Sequence, residues 1–198
     1  MKLYYAPGAC SLADHIALHE ANLAFDRVKV DLKAKTVEGG GDYLTVNPKG
    51  YVPALAFDDG QVLTENIAIL SWVADQAQVL APESEMGRYR LLETLAYIST
   101  EIHKAFKPFF NPKADDAQKA EARGTIEKRL GLIAERLTGD YLFGSQASVA
   151  DAYLFVMLRW AQANGATLPA PLAAYFDRMS ARPAVRLALQ HEGLKMAA

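Results

Sequence analysis

The segment "YYAPGACSLADH" (residues 4–15) changes from a strand pattern to a helix pattern across a single turn. The aromatic run "KLYYA" (2–6) predicts a strand, and Pro7-Gly8 predicts a turn. Apolar residues at helical spacing then predict a helix over 11–21. Cys10, the only cysteine among 198 residues, stands where the turn meets the helix.

The pattern after this segment predicts a small α/β domain. A second strand is predicted at "FDRVKV" (25–30), and a polar loop follows with three glycines at 39–41. The runs "VPALAF" (52–57) and "QVL" (61–63) predict a hairpin, and helical spacing resumes over 67–77. The order β-α-β-loop-β-β-α predicts a mixed sheet with parallel and antiparallel strands.

The remainder of the chain is helical in period. We predict an α/β domain over 1–77, a linker over 78–86 and an all-α domain over 87–198. Apolar residues between 91 and 109 step by three and four, which predicts one long amphipathic helix. Another helix is predicted around residues 126–137.

A buried helix is predicted at residues 150–163, because its residues are apolar nearly all round. Ser148 and Asp151 have the spacing of a capping box at its start.

Composition excludes several classes of function. Apolar residues make up 51% of the chain and charged residues 22%, as in ordinary globular proteins. A net charge of −2 gives no basic face for nucleic acid or an anionic membrane. The single cysteine, the absence of a secretory signal pattern and the short apolar runs favour a reducing, cytoplasmic setting. No metal site is expected.

Cys10 has two interpretations. A thiol near a helix N-terminus is favoured as the thiolate, whereas a lone cysteine is also commonly a small buried apolar residue. Its place between strand and helix suggests a thioredoxin-like layout, but Ala13 stands where a second cysteine of a C-x-x-C pair belongs. A redox reaction of Cys10 therefore needs a thiol from outside the chain.

Three further features describe a ligand. Val52-Pro53 is either a simple strand start or, in a cis bond, backbone exposed beside the thiol. Glu65 can hold an ammonium group, while Asn66 either caps the following helix or, with its N–H groups, helps to hold a carboxylate. Lys35 offers a second carboxylate contact. An ammonium, two carboxylates and a thiol together describe glutathione.

The four histidines differ in placement. His103 lies off the apolar stripe of its helix, on the one helix expected to cross the mouth of the first domain. His15, His19 and His191 form no recognisable constellation and are interpreted as surface or packing residues.

Over essentially its whole length the sequence resembles the cytosolic glutathione transferases, and within them the bacterial beta class. The resemblance rests on five segments in order: "PGACSLADHIAL" (7–18), "VNPKGYVPAL" (46–55), "LTENIAI" (63–69), "TEIHKAFKPFFNP" (100–112) and "SVADAYLF" (148–155). It implies a thioredoxin-like first domain, an all-helical second domain and a homodimer.

The resemblance also implies roles for individual residues. Cys10 and His103 match the catalytic positions, and the family's cap at Ser148–Asp151 serves folding. The implied glutathione contacts, two of them across a dimer interface, are Tyr5, Cys10, Lys35, Val52, Pro53, Glu65, Asn66, Glu101 and Lys104. The chain departs from the family pattern at Ala96, where asparagine is common, and at Asn66, where small residues are common.

The resulting hypothesis is transfer of glutathione to apolar electrophiles, with thiol–disulfide exchange or peroxide reduction through Cys10 beside it. The alternative is a non-catalytic module that binds glutathione or an apolar ligand. Aromatic residues are candidates for an electrophile pocket, although such spacing also fits core packing: Phe106, Phe109, Phe110 and Trp160. The sequence does not name the electrophile.

Overall fold

The computed structural model describes residues 1–195, so the last three residues of the predicted helical domain, 196–198, lie outside the described residues. The five strands are β1 (Lys2–Tyr5), β2 (Asp26–Asp31), β3 (Thr36–Val37), β4 (Ala54–Ala56) and β5 (Val62–Thr64). Within the described residues the eight α-helices are α1 (Leu12–Glu20), α2 (Asn66–Gln76), α3 (Gly87–Tyr97), α4 (Lys107–Phe110), α5 (Asp116–Arg136), α6 (Val149–Ala163), α7 (Ala170–Ser180) and α8 (Pro183–His191).

The sheet is mixed, as predicted. Its strand order is β3-β2-β1-β4-β5, with β1 parallel to β2 and every other pair antiparallel. The two-residue strand β3 was missed, because its residues lie in a stretch that reads as polar loop and they pair only with the end of β2. This topology confirms the thioredoxin-like fold class and places the β1–α1 turn beside the loop that leads into β4.

The predicted long helix over 91–109 is wrong as a single α-helix. The chain is π-helical over Ile98–His103 and turns at Phe106 before α4. Pro108 contributes to the interruption, because it has no N–H with which to continue an α-helix. The apolar stripe itself is buried as expected, at Leu91, Leu95, Ile98, Ile102 and Phe106.

Helix α6 lies at the centre of the molecule. All its residues from Val149 to Leu158 are buried, and α1 packs against both α6 and α8. The Ser148–Asp151 capping box is present: an Asp151 oxygen accepts from the Ser148 backbone N–H and from Ser148 Oγ, both at 2.7 Å. Asp151 also accepts from Leu142 N–H at 2.9 Å and from the Tyr175 hydroxyl at 2.8 Å.

The two predicted domains share one hydrophobic core, which includes Leu12 and Ile16 of α1 together with Leu154 and Met157 of α6. Between α2 and α3 the chain forms only a short 3-10 turn, Gln78–Leu80. Among residues 1–195, none of the helices combines the length and apolar character required to cross a bilayer.

Candidate active site

A cavity of about 250 Å³ lies where the β1–α1 turn, the loop before β4 and the start of α2 face the helical domain. Its lining residues are Cys10, Tyr51, Val52, Pro53, Glu65, Asn66, Ile67, Ser99, His103 and Tyr153. The cavity thus brings together six residues predicted from sequence and draws on both halves of the chain.

Cys10 lies at this cavity as a half-buried free thiol. Its Sγ donates to the Val52 carbonyl oxygen at 3.5 Å. Burial, and then the Asp14 carboxylate, raise the pKa of Cys10 to about 12. Burial thus has a larger effect on the pKa of this thiol than the helix start, and it favours the thiol form.

Local hydrogen bonding explains why the helix start does little for this thiol. The N–H groups of Leu12 and Ala13 bond back to the carbonyls of Ala9 and Cys10, both at 3.0 Å. The N–H groups of Cys10 and Ser11 do act on the sulfur and lower its pKa, but burial outweighs them.

The Val52-Pro53 peptide bond is cis. β4 begins at Ala54, so both residues lie in the loop that precedes the strand. The Val52 carbonyl already faces Cys10, and Tyr51 continues the lining on the same side. The backbone at Val52 therefore lies beside the thiol. Of the two interpretations of Val52-Pro53, the structure agrees with the one that has a cis bond.

Glu65 holds an unusual backbone conformation at the start of α2. Its φ is +77°, a region that costs a residue with a side chain about 1–3 kcal/mol and often marks a functional site. The carboxylate forms an ion pair with the Lys49 ammonium, which also donates to Thr64 Oγ1 at 2.9 Å. Sequence reasoning did not single out Lys49. Its ammonium pairs with the Glu65 carboxylate, which is the group expected to bind the ammonium of a ligand.

The Asn66 side chain is used inside the protein. Its Nδ2 donates to the Cys10 carbonyl at 3.0 Å and to Asp14 Oδ2 at 3.1 Å. The first N–H groups of α2, at Asn66 and Ile67, have no partner within the helix and are available to an anion. A carboxylate at this position is therefore met by backbone, not by the Asn66 amide.

His103 reaches the cavity from the π-helical segment, as does Ser99 four residues earlier. The His103 Nδ1 lies 2.7 Å from the Tyr153 hydroxyl, and burial lowers the pKa of His103 to about 4. The imidazole is therefore neutral at neutral pH and is a hydrogen-bond partner, not a cation. π-helical turns of this kind are frequent at functional sites.

Four predicted contacts lie outside this cavity. Tyr5 is buried against His15, with ring centroids 5.7 Å apart. Lys35 donates from Nζ to the Gly50 carbonyl at 2.6 Å, next to Tyr51. Glu101 pairs with Arg129 at 2.9 Å, and Lys104 lines a separate cavity of about 560 Å³.

The aromatic residues predicted for an electrophile pocket form a cluster and do not line the Cys10 cavity. Trp160 packs edge-on against Phe106 at 5.4 Å and against Phe110 at 4.9 Å, while Phe109 packs against Phe106 at 6.2 Å. Phe106 is fully buried, whereas Phe110 is 61% exposed. Phe106 is thus a core residue, and only the outer members of the cluster offer surface to a ligand.

Sequence reasoning missed Tyr51, Ile67, Ser99 and Tyr153 as lining residues. Tyr153 stands in the apolar run of α6 and is almost fully buried, so nothing in the pattern separates its hydroxyl from core packing. Tyr51 precedes Val52 within a segment already singled out, and that position was the available signal.

Comparison with known proteins decides the family. Residues 9–76 match the family model of the glutathione S-transferase N-terminal domain, and residues 97–183 match that of the C-terminal domain. The chain belongs to the glutathione S-transferase family. The resemblance based on the five sequence segments is confirmed.

Individual relatives agree over the full length of the chain. Glutathione S-transferase GstA of Escherichia coli O157:H7 is 47% identical, covering 98% of this chain and 100% of its own length. The structure of a sphingomonad glutathione S-transferase complexed with glutathione has a TM-score of 0.91 at 48% identity, covering 98% of this chain and 100% of that one. A beta-class glutathione S-transferase of Sphingomonas chungbukensis has a TM-score of 0.91 at 49% identity, with the same coverage. This glutathione S-transferase thus belongs to the beta class.

Proposed function

We propose that this glutathione S-transferase conjugates the thiol of glutathione to apolar electrophiles, and that Cys10 also supports glutathione-dependent disulfide or peroxide reduction. The observation that carries the proposal is the shared cavity: a thiol, the backbone at Val52, an acidic side chain at Glu65 and the first N–H groups of α2 surround one space. These groups complement the thiol, ammonium and carboxylate of glutathione.

The γ-glutamyl and cysteinyl parts of glutathione each have a partner in this arrangement. The γ-glutamyl carboxylate binds the N–H groups at Asn66 and Ile67, where the helix dipole also favours an anion. The γ-glutamyl ammonium binds Glu65, and it must compete with the Lys49 ammonium for that carboxylate. The cysteinyl backbone pairs with Val52, which directs the glutathione sulfur toward Cys10 and His103.

In the conjugation step, the deprotonated glutathione sulfur attacks the electrophilic carbon of a substrate such as a chlorinated aromatic. A carbon–sulfur bond forms, the carbon–chlorine bond breaks, chloride leaves with the electron pair, and the thiol proton passes to solvent. The protein contributes by holding the sulfur in place and raising its thiolate fraction. His103, neutral at neutral pH, accepts a hydrogen bond at this site.

In the exchange step, the Cys10 thiolate attacks the glutathionyl sulfur of a mixed disulfide. A Cys10–glutathione disulfide forms and the substrate thiol leaves. A second glutathione then attacks this disulfide, releasing oxidised glutathione and restoring Cys10. The lone thiol suits this chemistry, because no second cysteine competes to resolve the adduct.

The test compares wild type with Cys10→Ala and Cys10→Ser. We expect both variants to lose glutathione-dependent disulfide reduction and the glutathione adduct seen by intact mass after treatment with oxidised glutathione. Conjugation of a chlorinated dinitrobenzene should persist in at least one variant, because bound glutathione is then the nucleophile. If the wild type neither binds glutathione nor turns over either substrate, the alternative of a non-catalytic module takes the place of the transferase proposal.

We further propose that the chain acts as a homodimer of two-domain subunits, divided at 1–77 and 87–198, in a reducing cytoplasmic setting that supplies glutathione. Glu101 and Lys104 do not line the Cys10 cavity of their own chain, so the glutathione contacts implied for them require a neighbouring subunit. Light scattering should give about twice the chain mass of 21.6 kDa. A monomeric mass would contradict the dimer.

A further inference from the structure

Three histidines that sequence reasoning interpreted as unconnected meet where α1 packs against α8. His15 and His19 lie one turn apart on α1, and His191 is the last residue of α8. One nitrogen from each ring lies within 4.8 Å of the other two. We call these three residues the histidine cluster. The expectation that they form no constellation is wrong, because the α1–α8 contact joins residues distant in sequence.

The innermost ring has a nitrogen without a partner. His15 is fully buried, and its Nδ1 lies 2.9 Å from Glu192 Oε1. The other oxygen of Glu192, Oε2, accepts from the Gly8 N–H at 2.8 Å, and we assign the His15 ring proton to Nδ1 as the donor to Oε1. His15 Nε2 then carries a lone pair, and it is buried with no hydrogen-bond partner among the described residues. Buried polar atoms are nearly always paired, so this lone pair requires an explanation.

The outer two rings already have the spacing of metal ligands. His19 Nε2 and His191 Nδ1 lie 3.3 Å apart. Two nitrogens on a tetrahedral zinc ion, each bonded at 2.0–2.1 Å, lie about 3.4 Å apart. The widest separation in the cluster, at most 4.8 Å, would have to close by up to about 1.4 Å, which side-chain rotation can supply because His19 and His191 are partly exposed.

We propose that the histidine cluster binds one Zn²⁺ ion, through His15 Nε2 and one nitrogen each of His19 and His191. Two histidines at i and i+4 on one helix face are a recurring zinc-binding pair, and three imidazoles leave a fourth position for water. Glu192 acts from outside the coordination sphere, holding the His15 ring by its Nδ1–H as carboxylates do in many zinc sites.

The proposed zinc site lies outside the glutathione cavity but is connected to it. Glu192 Oε2 accepts a hydrogen bond from the Gly8 N–H at 2.8 Å, in the turn that leads to Cys10. One carboxylate therefore bridges His15 and the turn before Cys10. Zinc is not required by the transfer chemistry above, so the site stands or falls independently of the proposed function.

The test is a titration of untagged, EDTA-treated, full-length protein with ZnCl₂ by isothermal calorimetry. A Cys10→Ser parent removes the thiolate as a competing ligand. We expect one Zn²⁺ per chain. His19→Gln and His191→Gln should each lower the zinc affinity by more than about 100-fold, which exceeds the 10–100-fold loss typical when a residue that only hydrogen-bonds a metal ligand is removed. Glu192→Gln should weaken binding by about 10–100-fold.

His103→Gln in the same parent is the matched control, because it removes the one histidine outside the cluster. It should bind zinc as tightly as the parent. The two ring variants change partly exposed residues, and circular dichroism checks that they fold. Absence of stoichiometric zinc binding in the parent would overturn the proposal. Unchanged affinity in folded His19→Gln and His191→Gln proteins would overturn it as well.

Discussion

Cys10 shows two opposing influences on one sulfur atom. The N–H groups of Cys10 and Ser11 favour the thiolate, whereas burial and the Asp14 carboxylate favour the thiol. Desolvation is the larger effect and sets the direction of the pKa shift. Cys10 is therefore a hydrogen-bond donor to the Val52 carbonyl.

This environment predicts a slow, steeply pH-dependent alkylation of Cys10. With a pKa near 12, the thiolate fraction and the iodoacetamide rate should rise roughly tenfold per pH unit between pH 7 and 10 without reaching a plateau. In the same protein unfolded in urea, the alkylation rate should level off once the pH exceeds the ordinary cysteine pKa of about 8.5. Mass spectrometry of the alkylated chain gives the rates. A plateau below pH 8 in the folded protein would show a preformed thiolate.

At the residue scale, site residues with distinctive chemistry could be predicted from the sequence. Residues that belong to the site only because of their position in the folded structure could not. Cys10 could be predicted because it is the only cysteine in the sequence, and Glu65 because an acidic side chain stands directly before a helix that follows a strand. Lys49 and Tyr153 could not, because a loop lysine and a tyrosine in an apolar helix are ordinary until the fold sets them beside Glu65 and His103.

At the element scale, two capping boxes of the same kind lie in different environments. At α5, Asp115 accepts from the Gln118 N–H at 2.8 Å on an exposed surface. At α6, Asp151 is fully buried and accepts four hydrogen bonds, from two backbone N–H groups and from the hydroxyls of Ser148 and Tyr175. Water can replace the lost partner at α5, whereas at α6 it cannot.

The two boxes should therefore differ in their contribution to stability. Asp115→Ala should lower the free energy of unfolding by about 1 kcal/mol, the usual value for an N-cap. Asp151→Ala should lower it by more than about 3 kcal/mol, because several buried donors each lose a partner at about 1–3 kcal/mol. Urea unfolding of both variants measures the difference. Equal losses would mean that the Asp151 network is replaced by water or by rearrangement.

Element boundaries were predictable where local signals coincide with packing. The Ser-x-x-Asp pattern placed the start of α6 within one residue, because cap and apolar run agree. The interruption between α3 and α4 was not predicted, since the apolar stripe continues through the π-helical segment and only Pro108 signals a change. The π-helical segment nevertheless carries Ser99 and His103, so the feature missed from sequence is the one that serves the site.

At the scale of the whole molecule, the helical half fixes the turn that presents Cys10. Gly8 has a φ of +71°, its N–H donates to Glu192 at 2.8 Å, and its carbonyl accepts from the Trp160 indole N–H at 2.9 Å. Trp160 lies on α6 and Glu192 directly follows α8, and both are more than 150 positions away in sequence. The fold class follows from local patterns, but this coupling depends on which surfaces of the two halves meet.

The coupling predicts that Trp160→Phe impairs catalysis more than it impairs folding. Phenylalanine retains a ring against Phe106 and Phe110 but donates nothing to the Gly8 carbonyl, so the turn before Cys10 loses one of its two anchors. We expect kcat/KM for glutathione conjugation to fall about tenfold, which corresponds to about 1.4 kcal/mol, within the range for a buried acceptor left unpaired. Steady-state kinetics and a melting curve measure the two effects.

Trp72→Phe is the matched control, because Trp72 packs edge-on against Phe57 at 5.0 Å and its indole donates no hydrogen bond within residues 1–195. This variant should retain wild-type kcat/KM. If both substitutions leave kcat/KM unchanged, the Gly8 anchor does not control the position of Cys10. If both lower it equally, the loss reflects general packing. Only a loss of kcat/KM confined to Trp160→Phe supports the inference that the helical domain positions Cys10 through the Gly8 turn.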